Sequence, residues 1–472
     1  MKMYVAGQWI DKPQKIEVLN PYDDSVIDTV PKADLNDVDG TLTAAEQGAR
    51  VMAKLSSYER WKILKRAAEI IEARSEEIGR LISMEEGKVI GEGRAEALRA
   101  VETIMGSAEE AKRSHGETVP LDGDPAGGKR FGFTIRVPCG VVVAISPFNF
   151  PLNLVCHKVG PAIAAGNAVV IKPATDTPLS ALKLTEILLE AGLPPAGIQC
   201  LTGSGGEIGD ALVSDRRVRK ITFTGSRDIG ERICKMAGIK KVTMELGSNS
   251  PIIVMPDADM EKVVAGVVAT GYANAGQVCI SSQRVLTAGK IYGDFLDALK
   301  PKVAALATGN QLDEKTKVGP MVRERDAMRV EQWISEAVST GARLVVGGER
   351  HGAIYAPTVV ADVQPEMRIS CDELFGPAVA VTPFNNIEDA IALANDSIYG
   401  LSAGIFTENL EWAMRFVREV HSGNLHVNWG PQWRADLMPY GGVKESGFGK
   451  EGPRYAVEEM SELKMVVLHL TS

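Results

Sequence analysis

Through the middle of the chain, apolar residues come as short continuous runs rather than in alternation with polar ones. Runs of four or five, bounded by Gly, Pro, Ser or Asn, predict strands at 141–145, 168–171, 198–201, 220–223 and 251–254. Between them the apolar positions recur at helical spacing, which predicts helices at 152–165, 178–191, 207–213 and 228–237. Strands apolar on both faces and alternating with helices imply an α/β fold around a parallel sheet. A second α/β run follows. It reads as helix 259–274, strand 282–287, helices 292–307 and 323–341, strands 343–346 and 378–382, and helix 387–395.

The flanks have a different texture. Residues 34–113 are rich in Ala, Glu, Arg and Leu, and Ile63, Leu64, Ala67, Ile70 and Ile71 mark one face of an amphipathic helix among two or three. From Gly116 to Phe133 the chain is punctuated by Gly, Asp and Pro before Phe131 and Phe133 open an alternating strand, the pattern of an extended hairpin. The strand-like run Lys464 to Leu470 is a suitable partner for it.

A chain of 472 residues exceeds what one core organises, so two or three domains are expected. Its formal charge of −9 argues against nucleic-acid binding, and any anionic substrate must be met by local arginines. The first residues carry no signal-peptide pattern, and no apolar run reaches the roughly 18 residues of a membrane helix. The six cysteines form no CxxC pair and no His/Cys cluster. That spacing predicts no metal site and a reduced, cytoplasmic protein.

The candidate chemistry lies at the ends of these apolar segments. Cys279 stands between small and polar neighbours in Gly276 to Ser282, just after an apolar helix-like run, where a thiol can serve as nucleophile. Glu245 closes the run Lys241 to Met244, and Asn149 follows the strand at 141–145. Taken singly these are a core thiol, a surface carboxylate and a turn residue. Together they supply a nucleophile, a base and an amide donor. Thr224 to Gly230 follows a strand and opens a helix, whose free N–H groups suit a pyrophosphate. Lys172 ends the strand at 168–171, at the edge where ligands of open α/β sheets collect. Two other glycine patterns do not qualify. Gly123 to Lys129 lacks the flanking strand and helix and the Ser or Thr of a phosphate loop, and Gly203 to Gly209, its third glycine one place late, reads as a packing turn near the cofactor.

These segments, in this order, resemble the aldehyde dehydrogenase superfamily along the whole chain. The shared motifs are Asn20-Pro21, Pro147 to Pro151, Lys172-Pro173-Ala174, Phe223 to Ser226, Glu245-Leu246-Gly247, Gly276 to Cys279, Glu373 to Pro377 and Pro439 to Gly447. The resemblance implies a Rossmann-like NAD(P)-binding domain (1–113 and 137–247) and an α/β catalytic domain (248–447). A small β oligomerisation domain (114–136 and 448–472) would complete a homo-oligomer, dimer or tetramer. It further implies Cys279 as nucleophile, Asn149 with the Cys279 N–H as oxyanion donors, and Glu245 as activator of the hydrolytic water. Lys172 and Glu373 would bond the two riboses of NAD or NADP, Gly225, Ser226 and Gly230 would meet the pyrophosphate, and Phe375 would bear on the nicotinamide side.

Two departures bear on specificity. Ser248-Asn249 replaces the commoner Gly-Lys, and Thr175 stands where strongly NAD-selective members carry a glutamate, which leaves NADP open. Arg99 and Arg434 match two of three family positions that bind an anionic substrate tail; the third is Val278. Asn153 and His157, one helical turn apart, line a face that many relatives make apolar. The expectation is a small anionic or hydroxylated aldehyde, bound by two converging bidentate arginines. The stretch Arg434 to Tyr440 resembles the lactaldehyde, sulfolactaldehyde and phosphonoacetaldehyde branch. The alternatives are a coenzyme-A-acylating dehydrogenase, against which Glu245 counts, and a non-catalytic relative of the fold.

Overall fold

The computed structural model describes residues 1–470. Four of the predicted strands lie in one sheet, in the order Gln8–Ile10, Met3–Val5, Ile198–Cys200, Ala168–Lys172, Val141–Ile145, Val218–Thr224, Lys241–Glu245, Gly447–Phe448, while the fifth, predicted at 251–254, belongs to the second sheet as Ser250–Val254. Its five central strands are parallel, and both edges are closed by antiparallel additions. Helices Asn153–Ala164, Leu179–Glu190 and Arg227–Ala237 cover its faces. That double covering is why the strands read as unbroken apolar runs. The chain leaves Val141–Ile145 toward one edge and returns beside it as Val218–Thr224, so the strand order reverses between those two. In open α/β sheets the crevice at that reversal, outside the carboxyl ends, is where ligands bind.

A second, seven-stranded sheet is parallel except for Arg343–Val346 at its edge, and Ser250–Val254 pairs there with Ser282–Ala288 and Ser402–Phe406. The expected hairpin is present. Arg130–Pro138 pairs with Thr118–Val119 on one side and along its whole length with Ser461–His469 on the other. The segment read as one helix at 207–213 is instead a π-turn, Gly205–Gly209, running into the short helix Asp210–Ser214. Gly447–Phe448 joins the first sheet beside Lys241–Glu245, so the chain returns to the cofactor side at the point where the sequence suggested leaving the catalytic domain. No helix of the described residues is long and apolar enough to cross a membrane.

Buried carboxylates tie the N-terminal helices to the loops at the sheet reversal. Glu96, on the helix Ile90–Arg113, accepts from the N–H groups of Leu152 and Asn153, both at 3.0 Å, and caps the helix that follows Asn149. Lys88 donates to Glu96 at 2.6 Å and to the Asn149 carbonyl at 2.8 Å. The Asn149 backbone is thereby fixed by a buried ion pair rather than by loop packing alone. Glu92 and Glu86 hold the backbone and side chain of Asn274, five residues before the thiol.

Candidate active site

A cleft of about 900 Å³ opens at the reversal of strand order. Asn149, Lys172, Gly225, Ser226, Cys279, Glu373 and Phe375 all line it. Residues as far apart in the sequence as Asn149 and Phe375 thus share one cavity. The thiol is carried on a sharp turn: Asn274 and Ala275 are left-handed at φ 50° and 52°, and Gly276 continues at φ 70°. A Cβ on Gly276 would lie 2.0 Å from the Gly376 carbonyl, so only glycine lets the turn close there. The Asn149 amide donates to the Gln277 carbonyl at 2.8 Å and retains a second N–H, while the Cys279 N–H has no partner among the described residues. Burial pushes the Cys279 thiol up to about 12, opposed chiefly by a hydrogen bond with the Tyr440 hydroxyl at 3.2 Å.

Glu245 ends its strand fully inside the protein, and both its oxygens lack a hydrogen-bond partner among the described residues. Burial and the neighbouring Glu451 charge push its carboxyl well above the usual range, with Arg434, Lys158 and Lys450 opposing. Its Oε1 sits beside Gly441, where any Cβ would come within 2.8 Å of it. Glu373 accepts from the Ser248 N–H at 2.8 Å, and burial raises it to about 7. Asn249 bonds the Ser370 and Asp372 carbonyls, so the Ser248-Asn249 departure anchors the loop that carries Glu373. Phe375 meets Phe148 edge-on with ring centres 5.9 Å apart. Burial lowers Lys172 to about 8, and its ammonium bonds the adjacent Pro173 carbonyl.

Gly230 and Thr175 lie outside the lining of the cleft, and the turn at Gly205–Gly209 lies in it. Gly230 does not line the cleft, because it sits a turn into its helix and packs on Leu246, whose Cδ2 would lie 2.4 Å from an added Cβ. The turn read as packing does line it: nothing lies within 4 Å of a Cβ at Gly205, Gly206 or Gly209. Thr175 is one step back, its hydroxyl donating to Gly203 of that turn at 3.2 Å. The reading also missed Arg323, which lines the cleft, lies 5.6 Å from the Phe148 ring centre and pairs with Asp176.

The residues expected to hold the substrate gather elsewhere, around Asp436. That carboxylate accepts from Arg99 Nε and Nη2 at 3.2 and 2.8 Å, from Asn153 at 3.3 Å and from His157 Nε2 at 2.9 Å. Burial, with Arg434 nearby, lowers His157 to about 4, so the neutral ring donates at Nε2 and accepts at Nδ1 from Arg434 at 3.1 Å. Arg434 also pairs with Glu451 at 3.0 Å, which bonds Lys158 at 2.9 Å, and its guanidinium lies 3.9 Å from the Tyr440 ring centre. Although burial opposes it, His157 and Arg99 hold Asp436 well below the carboxylate range, and Lys158 and Arg434 do the same for Glu451. The arginines therefore do not present two free forks. Arg99 spends its fork on Asp436, a carboxylate two residues beyond Arg434, and what remains for a ligand is Arg99 Nη1 and the buried, unpartnered Nε of Arg434.

Residues 9–466 match the sequence profile of the aldehyde dehydrogenase family. The chain belongs to that family. It is an NAD(P)-dependent aldehyde dehydrogenase. A 3-sulfolactaldehyde dehydrogenase of Priestia aryabhattai is 48% identical over 99% of this chain and 98% of its own. Among solved structures, aldehyde dehydrogenase 21 of Physcomitrella patens, in complex with the reaction product succinate, superposes with a TM-score of 0.96. It is 38% identical and covers 99% of this chain and 98% of its own. A glyceraldehyde-3-phosphate dehydrogenase of Methanocaldococcus jannaschii complexed with NADP gives 0.94 at 36% identity, over 97% of this chain and 100% of its own.

Proposed function

We propose that this aldehyde dehydrogenase oxidises a small anionic aldehyde, of the 3-sulfolactaldehyde kind, to its carboxylic acid through a thiohemiacetal and a thioester on Cys279. The observation that carries the anionic part is the charge of the cluster beyond the thiol, buried but for Arg99, whose side chain is 36% exposed. Lys158, Arg99 and Arg434 face the two ionised carboxylates of Asp436 and Glu451, while His157 is neutral and Glu245 is held toward its neutral form. One positive charge is left over, and the unpartnered Arg434 Nε lies within that cluster. A sulfonate, carboxylate or phosphate answers both needs, since a buried charge is tolerable only when paired. The three relatives described above are named for, or were solved with, molecules that carry one of these groups.

In this reading Lys172 and Glu373 would hold the riboses, and Gly225 and Ser226 would lie against the pyrophosphate, with the Gly225 N–H itself bonded to the Glu245 carbonyl at 3.1 Å. NAD or NADP held there would supply the hydride acceptor. The Cys279 sulfur adds to the aldehyde carbon, and the alkoxide lies between the second Asn149 N–H and the Cys279 N–H. One such donor is typically worth about 3 kcal/mol at the transition state. Glu245 then takes a proton from the water that attacks the thioester carbon.

Arg99→Ala should raise KM for 3-sulfolactaldehyde by about 10–100-fold, the range of a charged hydrogen bond of about 1.5–3 kcal/mol, and change KM for propionaldehyde by less than about threefold. Kinetics at 340 nm with each aldehyde, under NAD and under NADP, make the comparison. Equal changes for both substrates would reduce Arg99 to a clamp on Asp436 and remove the anionic reading.

The homo-oligomer is part of the same proposal. Leu463, Met465, Val467 and Leu468 are exposed along Ser461–His469, and Phe131 and Ile135 are exposed on the paired strand. We assign this edge to a second copy of the chain, because an open apolar strand edge is otherwise an aggregation site. Light scattering during gel filtration should give a mass at least twice that of one chain; a monomer at micromolar concentration would remove the assignment.

A further inference from the structure

The sulfur of Cys279 has one side-chain hydrogen-bond partner among the described residues, the Tyr440 hydroxyl at 3.2 Å. Tyr440 is firmly placed. Its backbone N–H and carbonyl both bond Glu451, at 3.1 and 2.7 Å, and its ring packs with Val278, Ile280 and Leu401 in a small apolar cluster that also touches Phe150 and Cys279. The Arg434 guanidinium covers the ring at 3.9 Å from its centre. The ring is therefore a wall of the chamber around the thiol, and the hydroxyl is the one polar point on it directed at the reacting atom.

We propose that Tyr440 is a further catalytic residue, donating its O–H to the Cys279 sulfur whenever that sulfur carries negative charge. The proposal rests on the reading of Cys279 as nucleophile. Negative charge reaches the sulfur twice. It does so first when the thiol proton leaves to water in the cleft, and again in deacylation. In that second step the water oxygen bonds to the acyl carbon, its proton goes to Glu245, and the C–S bond breaks with its electron pair staying on sulfur. Tyr440 keeps its own proton throughout. Burial holds its phenol well above its ordinary range, which leaves it a donor at every working pH. The other charged groups that bear on the sulfur are Glu245 and Glu373, which disfavour the thiolate, and Arg434, which favours it. Arg434 lies across the Tyr440 ring, and a cation over a phenol face withdraws electron density and sharpens the O–H as a donor. The side chain expected to meet the substrate's anionic tail thus also touches the residue that steadies the thiolate.

The test is alkylation of the intact enzyme by iodoacetamide, with the modified peptide identified by mass. Tyr440→Phe keeps the ring, its packing and the guanidinium contact, and removes the hydroxyl alone. Loss of a hydrogen bond to a charged sulfur raises the thiol pKa by about one to two units. The remaining thiolate is somewhat more nucleophilic, so the net expectation is alkylation of Cys279 slowed about three- to tenfold between roughly pH 7 and 9. Thermal unfolding should be unchanged within about 2 °C, and kcat should fall while KM for NAD(P) stays put. An alkylation rate equal to or faster than that of the parent enzyme would make Tyr440 a wall and nothing more. Failure of the reading beneath it looks different: alkylated Cys279 that still turns over aldehyde would deny the nucleophile, whatever Tyr440 does.

Discussion

Cys279→Ala is expected to abolish aldehyde oxidation, with a loss in kcat of about 10⁵ or more, the scale seen when a covalent nucleophile is removed. The structure makes the effect hard to rescue. Among the described residues Cys279 is the only cysteine that lines the cleft, and Cys156 and Cys200 are buried elsewhere in the core of the first sheet. In the proposed mechanism the N–H of residue 279 and the Asn149 amide hold the oxygen of the thiohemiacetal, and without the sulfur there is no thiohemiacetal from which hydride can leave. The turn at 274–276 is fixed by Glu86, Glu92 and the Gln277 side chain rather than by the thiol, so the variant should fold and bind NAD(P) as the parent does. Stopped-flow absorbance at 340 nm is the measurement. Neither a burst nor a steady rate should be seen, and turnover within tenfold of the parent would overturn the thioester route.

How much of this was legible before folding depends on the range of the contacts involved. The strands 141–145, 168–171, 198–201 and 220–223 are announced by their own residues, since burial on both faces demands an unbroken apolar run, and the structure matches them to within two residues. The short edge strands Gln8–Ile10 and Gly447–Phe448 carry no such signal; they exist because a neighbouring strand offers hydrogen bonds. The thiol, the carboxylate and the amide stand in local motifs that the sequence alone displays. Asp436 does not, because nothing near it in sequence calls for a buried anion. Its partners His157 and Arg99 are 279 and 337 positions away. Lys158, Glu451 and Tyr440 were missed for the same reason. Gly230 was assigned from its motif alone, which cannot reveal that the helix turns it toward Leu246. The turn at Gly205–Gly209 was judged by glycine spacing, yet its exposure to the cleft comes from a π-turn that spacing does not encode.

Glu245→Gln is the second large effect, and it separates two halves of the reaction. The glutamine is isosteric and can occupy the same buried space, but it cannot take a proton. Formation of the thiohemiacetal and release of hydride do not need that base, so a stoichiometric burst of NAD(P)H should survive. Hydrolysis of the thioester does need it, and steady turnover should fall by about 10²–10⁴, the usual contribution of a general base. The electrostatics add a pH signature. Burial and Glu451 raise the Glu245 carboxyl well above the ordinary range, and the basic form is the ionised one. Where deacylation limits the rate, turnover of the parent should therefore climb as pH rises through that elevated value, and the residual rate of the variant should lack that rise. Mass spectrometry of the quenched variant should find the acyl group on Cys279. A variant that loses the burst as well would move Glu245 into acylation, as the base that ionises the thiol. One that turns over normally would leave Glu245 as a buried carboxyl whose two unpaired oxygens have no chemical reason.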